Sequence, residues 1–312
     1  MPKTKTLQVI LSLTDKNKLY LENNNLVVEV KPLEKETKKH KHSLSTFSNL
    51  IVIGHCSLTT PLIAELTKAN INLLFLNSSF RISFCSPAVP DHNAYLLKLK
   101  QYQTKQNAQA RILLAKKIVV DKVKSQLTVS KLTKKAQDLE LKKLVQGLES
   151  VNNIDTLMGI EGGYSTIYFD QVFGSYNWKR RLPRQKEDYL NYLLDINYTY
   201  LYNYTAGLVE ISGLDKYVGF LHEDRYNRFS LVCDIMEPFR MEADRILIKA
   251  LNLKIIKQEV FGQDPKTGKT VCINRKKLAH YLAYLSQELS NSQPSIEAYI
   301  KEITDYVLIR NI

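Results

Sequence analysis

Three acidic residues and one histidine are the side chains best placed to do chemistry. Glu161 lies within Gly159-Ile160-Glu161-Gly162-Gly163, a single carboxylate among three glycines, and His222 directly follows the apolar residues 220–221. Asp234 and Glu237 belong to the apolar segment 231–239. If that segment is helical, their three-residue spacing places both carboxylates on one face. The glycines after Glu161 leave space for another backbone or a phosphate to approach it.

These residue types suit a divalent cation. A lone charge in an apolar segment is costly to bury, and a bound cation shared with a histidine lowers that cost. Two glutamates, a histidine and an adjacent aspartate form an oxygen-rich set, which favours Mg²⁺ or Mn²⁺ over a closed zinc site. Plainer interpretations exist. A carboxylate beside glycines is more often a turn or a cap, and a histidine behind apolar residues is more often part of the core.

The charge of the chain predicts a polyanionic partner. Its 312 residues include 44 Lys and Arg against 31 Asp and Glu, a net charge of +13, and residues 98–149 alone hold 13 basic and 4 acidic residues. No apolar run approaches the roughly 18 residues of a membrane span. The basic stretch also lacks the broad Trp- and Phe-bearing face of interfacial helices. Nucleic acid is therefore favoured over a membrane.

The cysteines indicate the compartment, and the apolar content indicates the class of protein. Cys56, Cys85, Cys233 and Cys272 are scattered without a CxxC pair, which is typical of a reduced, cytoplasmic protein. A hydrophobic content of 44% and a charged content of 24% are ordinary for globular proteins. These values exclude a disordered or fibrous chain.

The elements that must position these residues divide into two regions. Residues 1–86 are β-rich, with short apolar runs at 7–13, 18–21, 26–30, 50–53 and 71–76. Asn23 and Asn24 tolerate the positive φ of a hairpin turn. Thr59 followed by Pro61 predicts the start of a helix that ends near residue 68. Residues 31–42 are interpreted as a charged loop between strands, with His40 and His42 exposed to solvent.

Beyond residue 86 the pattern becomes helical. Pro87 and Pro90 predict a stiff linker at 87–92. Residues 93–148 lack proline, and apolar residues recur at helical spacing. Further helices are predicted at 187–209, 229–250 and 275–290, with a hairpin at 257–273 that turns at 264–268. Pro238 cannot donate to the carbonyl of Asp234, so that turn is either early in a helix or kinked.

The resulting fold class is α+β, a small mostly-β N-terminal domain followed by a larger all-α domain. The predicted boundaries are 1–86 for the β-rich domain, 87–92 for the linker and 93–312 for the helical domain, which carries all four candidate residues.

Residues 157–245 resemble the integrase-nuclease of CRISPR adaptation, the enzyme that inserts new spacers into the repeat array. No single matching piece is specific, but their order and spacing are hard to obtain by chance. The matching pieces are residues 158–162, 188–191, Leu194, 198–201, 213–215, 219–222 and 230–240. The β-rich start, the linker and the helical remainder also look like the family, so the resemblance covers most of the chain.

The resemblance implies a site and a reaction. The metal-binding residues of the family fall on Glu161, His222 and Glu237, which would hold Mg²⁺ or Mn²⁺, and its neighbouring acidic residue falls on Asp234. The helical domain would then be catalytic. The 3′-hydroxyl of a foreign DNA fragment would attack a phosphodiester at the repeat boundary, a transesterification. The family also implies homodimers bridged by a small ferredoxin-like partner protein. The β-rich domain, whose strand edges would otherwise be exposed, is the predicted dimer surface. Asp195 departs from the serine usual at its position.

A basic cluster near such a site is a candidate for DNA binding. Residues 178–186 hold five cations, among them Lys179, Arg180, Arg181 and Arg184. They are predicted to contact the DNA backbone, with a solvated loop as the alternative.

Two other functions fit the same residues. One is a metal-dependent nuclease or branched-DNA resolvase that cuts without integrating, because water and a 3′-hydroxyl are interchangeable nucleophiles. The other is a non-catalytic DNA-binding scaffold, which would bind DNA without metal and without Glu161.

Overall fold

The computed structural model describes residues 6–11, 16–31, 36–86, 92–130, 134–176, 178 and 180–309. The chain separates into two compact units. Unit 1 comprises Met1–Leu99 with Ala206–Leu214, and unit 2 comprises Lys100–Thr205 with Asp215–Ile312. A strand-rich region precedes a mostly helical one, which confirms the α+β prediction. Residues 87–91 of the predicted linker lie outside the described residues, and the exact domain boundaries remain a prediction.

The described residues of unit 1 form two four-stranded sheets, one short helix and parts of two longer helices. The first sheet has the order β1 (Thr6–Ile10), β5 (Asn49–Ile53), β7 (Asn72–Leu76), β8 (Ile82–Ser86), of which only the last pairing is antiparallel. The second has the order β4 (Lys38–Ser43), β3 (Asn25–Lys31), β2 (Lys16–Glu22), β6 (Ser57–Leu58). Helix α1 (Thr60–Lys68) buries Leu62 and Leu66. Continuous apolar runs such as Leu50 to Ile53 are typical of parallel strands buried on both faces.

The local turn signals are confirmed in this unit, with one exception. Asn23 and Asn24 adopt φ of 48° and 59° between β2 and β3. Helix α1 starts where predicted, although the Thr59 side chain makes no capping hydrogen bond. The interpretation of residues 31–42 as a loop is wrong from residue 38 onward, because β4 pairs antiparallel with β3. Charged side chains are tolerated there because β4 is the last strand of its sheet and points them into solvent.

Unit 2 is built from helices and one small hairpin. Its helical segments include α3 (Ala108–Val129), α5 (Ile154–Phe173), α7 (Ser230–Met236), α8 (Arg240–Asn252), α9 (Arg275–Ser290) and α10 (Gln293–Ile309). Helix α4 (Lys134–Glu149) follows α3, while α2 (His92–Gln106) and α6 (Tyr189–Ser212) belong partly to unit 1. Strands β9 (Phe261–Gln263) and β10 (Thr270–Cys272) form the predicted hairpin. No helix in the described ranges is long and apolar enough to cross a membrane.

Two local expectations near the candidate residues need correction. Glu161 and its glycines lie in the middle of α5 rather than in a turn or a cap; that helix begins after Asn153, whose side chain accepts from the Thr156 N–H. The predicted helix 229–250 is interrupted by the 3-10 turn Glu237–Phe239. Pro238 has no N–H to continue the α-helical pattern, so the kinked alternative applies. This 3-10 turn and α5 both pack against α3.

Candidate active site

Glu161 and Glu237 converge on one buried ammonium group, that of Lys122. Helix α3 supplies Lys122, α5 supplies Glu161, and the 3-10 turn begins with Glu237. Lys122 Nζ forms an ion pair with Glu161 Oε1 and lies 2.5 Å from Glu237 Oε2. The side chains of Lys122 and Glu237 are only 8% and 4% exposed. Ser165, one turn along α5, donates to Glu161 Oε1 at 2.7 Å.

Sequence reasoning missed Lys122, although a local signal was present. It was treated as one of many cations in residues 98–149. Its position follows Ile118 by four residues and Val119 by three, and both are buried on α3. A lysine at i+3 and i+4 from core residues lies on the buried face, where an ammonium group needs acidic partners.

His222 is held by Asp234 rather than by the two glutamates. His222 Nδ1 lies 2.8 Å from Asp234 Oδ1. Since a carboxylate oxygen accepts, Nδ1 is the donor in this contact, and in a neutral imidazole Nε2 then carries the lone pair. Nε2 lies 3.9 Å from Glu237 Oε1. Asp234, which is 0% exposed, also accepts the backbone N–H groups of residues 220–222. Asp234 therefore fixes both the loop before α7 and the tautomer of the imidazole.

A glycine makes this close packing possible. A Cβ at Gly219 would lie 2.7 Å from the backbone carbon of Ser230 and 2.9 Å from Asp234 Oδ2. Both distances are too short for any side chain, so only glycine lets the chain cross the first turn of α7 here. The backbone N–H groups that follow Gly219 can then reach the Asp234 carboxylate.

Glu237 is kept ionised in spite of its burial. Burial alone would raise the pKa of its carboxyl, but Arg240, Lys122 and His222 outweigh that effect and lower the pKa to about 2. Arg240 Nη2 lies 3.0 Å from Oε1. The second oxygen, Oε2, touches the Lys122 ammonium as an ion pair but is not aligned for a hydrogen bond. One carboxylate is thus in contact with cationic groups of two helices, Lys122 of α3 and Arg240 of α8.

The donor types at this site fit a hard divalent cation. Two carboxylates and an imidazole nitrogen with a free lone pair are ligands that Mg²⁺ and Mn²⁺ accept. The two glutamates already gather around a positive charge. As arranged here, however, no group of three or more His, Cys, Asp or Glu residues in the described part of the chain could hold a metal ion. The ammonium of Lys122 lies where the carboxylates of Glu161 and Glu237 meet.

A basic cavity of about 780 Å³ adjoins the site. Arg240 reaches both the cavity and Glu237. Five arginines line it: Arg181, Arg184, Arg225, Arg228 and Arg240. Aromatic rings contribute as well, including Tyr226, whose side chain is 96% exposed. Guanidinium groups and aromatic faces are the groups that bind phosphates and unpaired bases.

The basic cluster 178–186 is only partly brought to this cavity. Arg181 and Arg184 line it, whereas Arg180 is exposed elsewhere and Lys179 lies outside the described residues. The Arg181 guanidinium is 2.5 Å from Asp195 Oδ1, and the Arg184 N–H donates to Asp195 Oδ2 at 2.9 Å. Arg184 also adopts φ of 64°. Asp195, which departs from the serine that the resemblance predicts, therefore fastens this loop. The DNA contacts assigned to the cluster remain a prediction.

Comparison with known proteins establishes the family. The family model described as "CRISPR associated protein Cas1" matches residues 11–287. The chain belongs to the Cas1 family. A CRISPR-associated endonuclease Cas1 of Thermodesulfovibrio yellowstonii is 31% identical over 240 residues, which are 72% of this chain and 75% of that protein. The resemblance found in residues 157–245 is thereby confirmed.

Solved structures share the fold. A chain of the structure named "Partial Cas6-RT-Cas1–Cas2 complex" superposes with a TM-score of 0.74 at 20% identity, covering 96% of this chain and 95% of that one. A casposase bound to its integration product has a TM-score of 0.67 at 19% identity, covering 97% and 95%. At these identities the likeness concerns the fold alone.

Proposed function

We propose that this protein is a metal-dependent DNA integrase and endonuclease of CRISPR adaptation, which inserts foreign DNA fragments into the repeat array. The observation that carries the proposal is the convergence of Glu161 and Glu237 on one cation position beside the His222 imidazole. The adjoining cavity with five arginines offers a place for a phosphate backbone. Membership in the Cas1 family and a relative named as an endonuclease support the same activity.

The reaction is a transesterification at phosphorus. The 3′-oxygen of the incoming fragment loses its proton and forms a new bond to phosphorus, while the bond from phosphorus to the repeat's 3′-oxygen breaks and that oxygen takes up a proton. A Mg²⁺ or Mn²⁺ ion held by Glu161, His222 and Glu237 would supply Lewis-acid stabilisation of the charge on the phosphate. A casposase solved bound to its integration product shares this fold, which supports the proposal.

The surrounding residues have separate roles in this proposal. Asp234 holds the His222 ring so that Nε2 presents its lone pair towards Glu237. Arg240 lies between Glu237 and the arginine-lined cavity, where it can bind a non-bridging phosphate oxygen. The other arginines of the cavity would hold the DNA strand in register with the site.

The partners follow from the same activity. DNA is the substrate, and a homodimer bridged by a small ferredoxin-like protein is the proposed assembly. The solved complex named Cas6-RT-Cas1–Cas2 supports the proposal of a larger assembly. The proposed location is the cytoplasm, which the four free thiols support.

Strand transfer on a branched DNA substrate tests this function. The purified protein is incubated with labelled DNA and Mg²⁺ or Mn²⁺, and the products are separated by length. Wild type is compared with Glu161→Gln and Glu237→Gln. Glu242→Gln, which removes a surface ion pair with Arg245 on α8, is the matched control. We expect a longer, joined strand that requires metal, is lost in both site variants and persists in the control.

Two other outcomes would replace the proposal. DNA that is cut but never joined would identify a nuclease or branched-DNA resolvase. Metal-independent binding without any chemistry, unchanged in Glu161→Gln, would identify a non-catalytic scaffold.

A further inference from the structure

We propose that Lys122 is a built-in competitor of the metal: its ammonium occupies the cation position between Glu161 and Glu237 until a divalent ion displaces it. This inference rests on the proposed function, because it concerns the same pair of carboxylates. It adds a residue outside the predicted ligand set and a step, the withdrawal of Lys122, that must accompany metal binding.

Lys122 lies at the position that a cation bound by both glutamates would occupy. Lys122 Nζ contacts one oxygen of each carboxylate, and its side chain is 8% exposed. Helix α3 packs against both α5 and the 3-10 turn, so the lysine enters between the two elements that carry the glutamates. A metal ion held by both Glu161 and Glu237 would have to lie between the two carboxylates, where the ammonium lies now. The two cations therefore exclude each other.

The electrostatics explain why a lysine is there. Without Lys122, Glu161 and Glu237 would face each other as negative charges, and only Glu237 would retain a cationic partner in contact, Arg240, among the described residues. Such an arrangement is strongly destabilising, since an uncompensated buried charge lacks solvation. Lys122 neutralises the pair in the metal-free protein. When a divalent ion brings twice the charge to the same oxygens, the ammonium becomes dispensable. Lys122 therefore stabilises the metal-free fold and lowers the affinity of the site for the metal.

Mn²⁺ affinity without DNA tests the competition directly. The free Mn²⁺ signal is followed by electron paramagnetic resonance during titration of wild type and Lys122→Met. Lys117→Met is the matched control, because Lys117 lies on the same helix as Lys122 and also bridges two carboxylates, those of Asp121 and Glu302. We expect Lys122→Met to bind Mn²⁺ about tenfold more tightly than wild type. In the variant no ammonium group occupies the site, so every molecule is competent to bind the metal. Lys117→Met should match wild type within about twofold.

A thermal melt accompanies the titration. In EDTA, Lys122→Met should melt below wild type, and saturating Mn²⁺ should raise its melting temperature by more than it raises that of wild type. A folded Lys122→Met that binds Mn²⁺ equally or more weakly than wild type would overturn the inference. If neither protein binds Mn²⁺ better than Glu161→Gln does, the metal site of the proposed function fails, and the competition fails with it.

A measurement on the wild-type protein needs no stable variant. Lysine acylation is mapped by mass spectrometry in EDTA and in saturating Mn²⁺. Displacement predicts that Lys122 is protected in EDTA and becomes at least severalfold more reactive with Mn²⁺, while the reactivity of Lys117 stays unchanged. Protection of Lys122 that persists at saturating Mn²⁺ would show that the ammonium does not leave and would overturn the inference.

Discussion

Replacing Asp234 with asparagine removes one charge without changing the size of the side chain. The carboxylate accepts four hydrogen bonds, two at each oxygen. Oδ2 serves the N–H groups of Phe220 and Leu221, and Oδ1 serves the N–H and Nδ1 of His222. An amide has only one accepting oxygen, so its NH₂ group must face two of these donors. One or two backbone N–H groups lose their acceptor in either orientation.

The cost follows from the burial of this site. Asp234 is 0% exposed, so no water replaces the lost acceptor. A buried unsatisfied donor costs about 1–3 kcal/mol, which gives roughly 3 kcal/mol for Asp234→Asn. For a unit of about 200 residues, each kcal/mol lowers the melting temperature by about 2–4 °C, so we expect a decrease of about 10 °C. Differential scanning calorimetry of the metal-free protein at neutral pH measures it.

Asp264→Asn is the control for this experiment. Asp264 accepts two backbone N–H groups at a single oxygen, and asparagine can keep both. Its melting temperature should equal that of wild type. If Asp234→Asn also melted within about 2 °C of wild type, the buried carboxylate would not be organising the loop, and the reasoning from unsatisfied donors would be refuted.

Three further predictions test other parts of unit 2. Gly219→Ala should destabilise the fold by about 2 kcal/mol or more, because its Cβ would overlap the backbone of α7, whereas Gly147→Ala in an open helical position should be neutral or stabilising in the same urea titration. Burial raises the pKa of Asp244 to about 6, against the hydrogen bonds it accepts from Tyr198 and Tyr168. Relative to Asp244→Asn, wild type should therefore keep its full stability below about pH 4 and lose roughly 3 kcal/mol as the pH rises through 6, at about 1.36 kcal/mol per pKa unit. Unfolding free energies of the two proteins that change in parallel with pH would contradict this. Arg225→Gln in the cavity should reduce the slope of log Kd for DNA against log salt by about 1, whereas the control Arg81→Gln in unit 1 should leave the slope unchanged. An unchanged slope in Arg225→Gln would show that DNA does not bind in the cavity.

Local signals in the sequence were sufficient for most elements of the fold. The asparagine pair predicted the β2–β3 hairpin because positive φ is a property of single residues. Apolar runs and helical periodicity predicted strands and helices for the same reason. β4 was missed because its residues are charged throughout, and its pairing is provided by β3 rather than by its own pattern. A single sequence does not display a partner strand.

The site was predicted less completely. The resemblance named Glu161, His222, Glu237 and Asp234, and the structure brings these residues close together. Which of them contact each other depends on how α3, α5 and the broken helix pack. Sequence spacing suggested that Asp234 and Glu237 share a face, yet Asp234 bonds to a loop twelve residues away and Glu237 to Lys122. The role of Lys122 depends on a tertiary contact with Glu161, which lies 39 residues further along the chain.

The charged strand β4 also constrains how copies of this chain can assemble. Lys38, Lys39 and Lys41 project from the last strand of its sheet. Only two of them have an acidic neighbour in ion-pair contact among the described residues, Glu29 for Lys39 and Glu22 for Lys41. A second copy that extended the sheet through β4 would bring like charges into register, which disfavours both open-ended polymerisation and aggregation along this edge. A dimer formed by the β-rich region would therefore have to use a different surface.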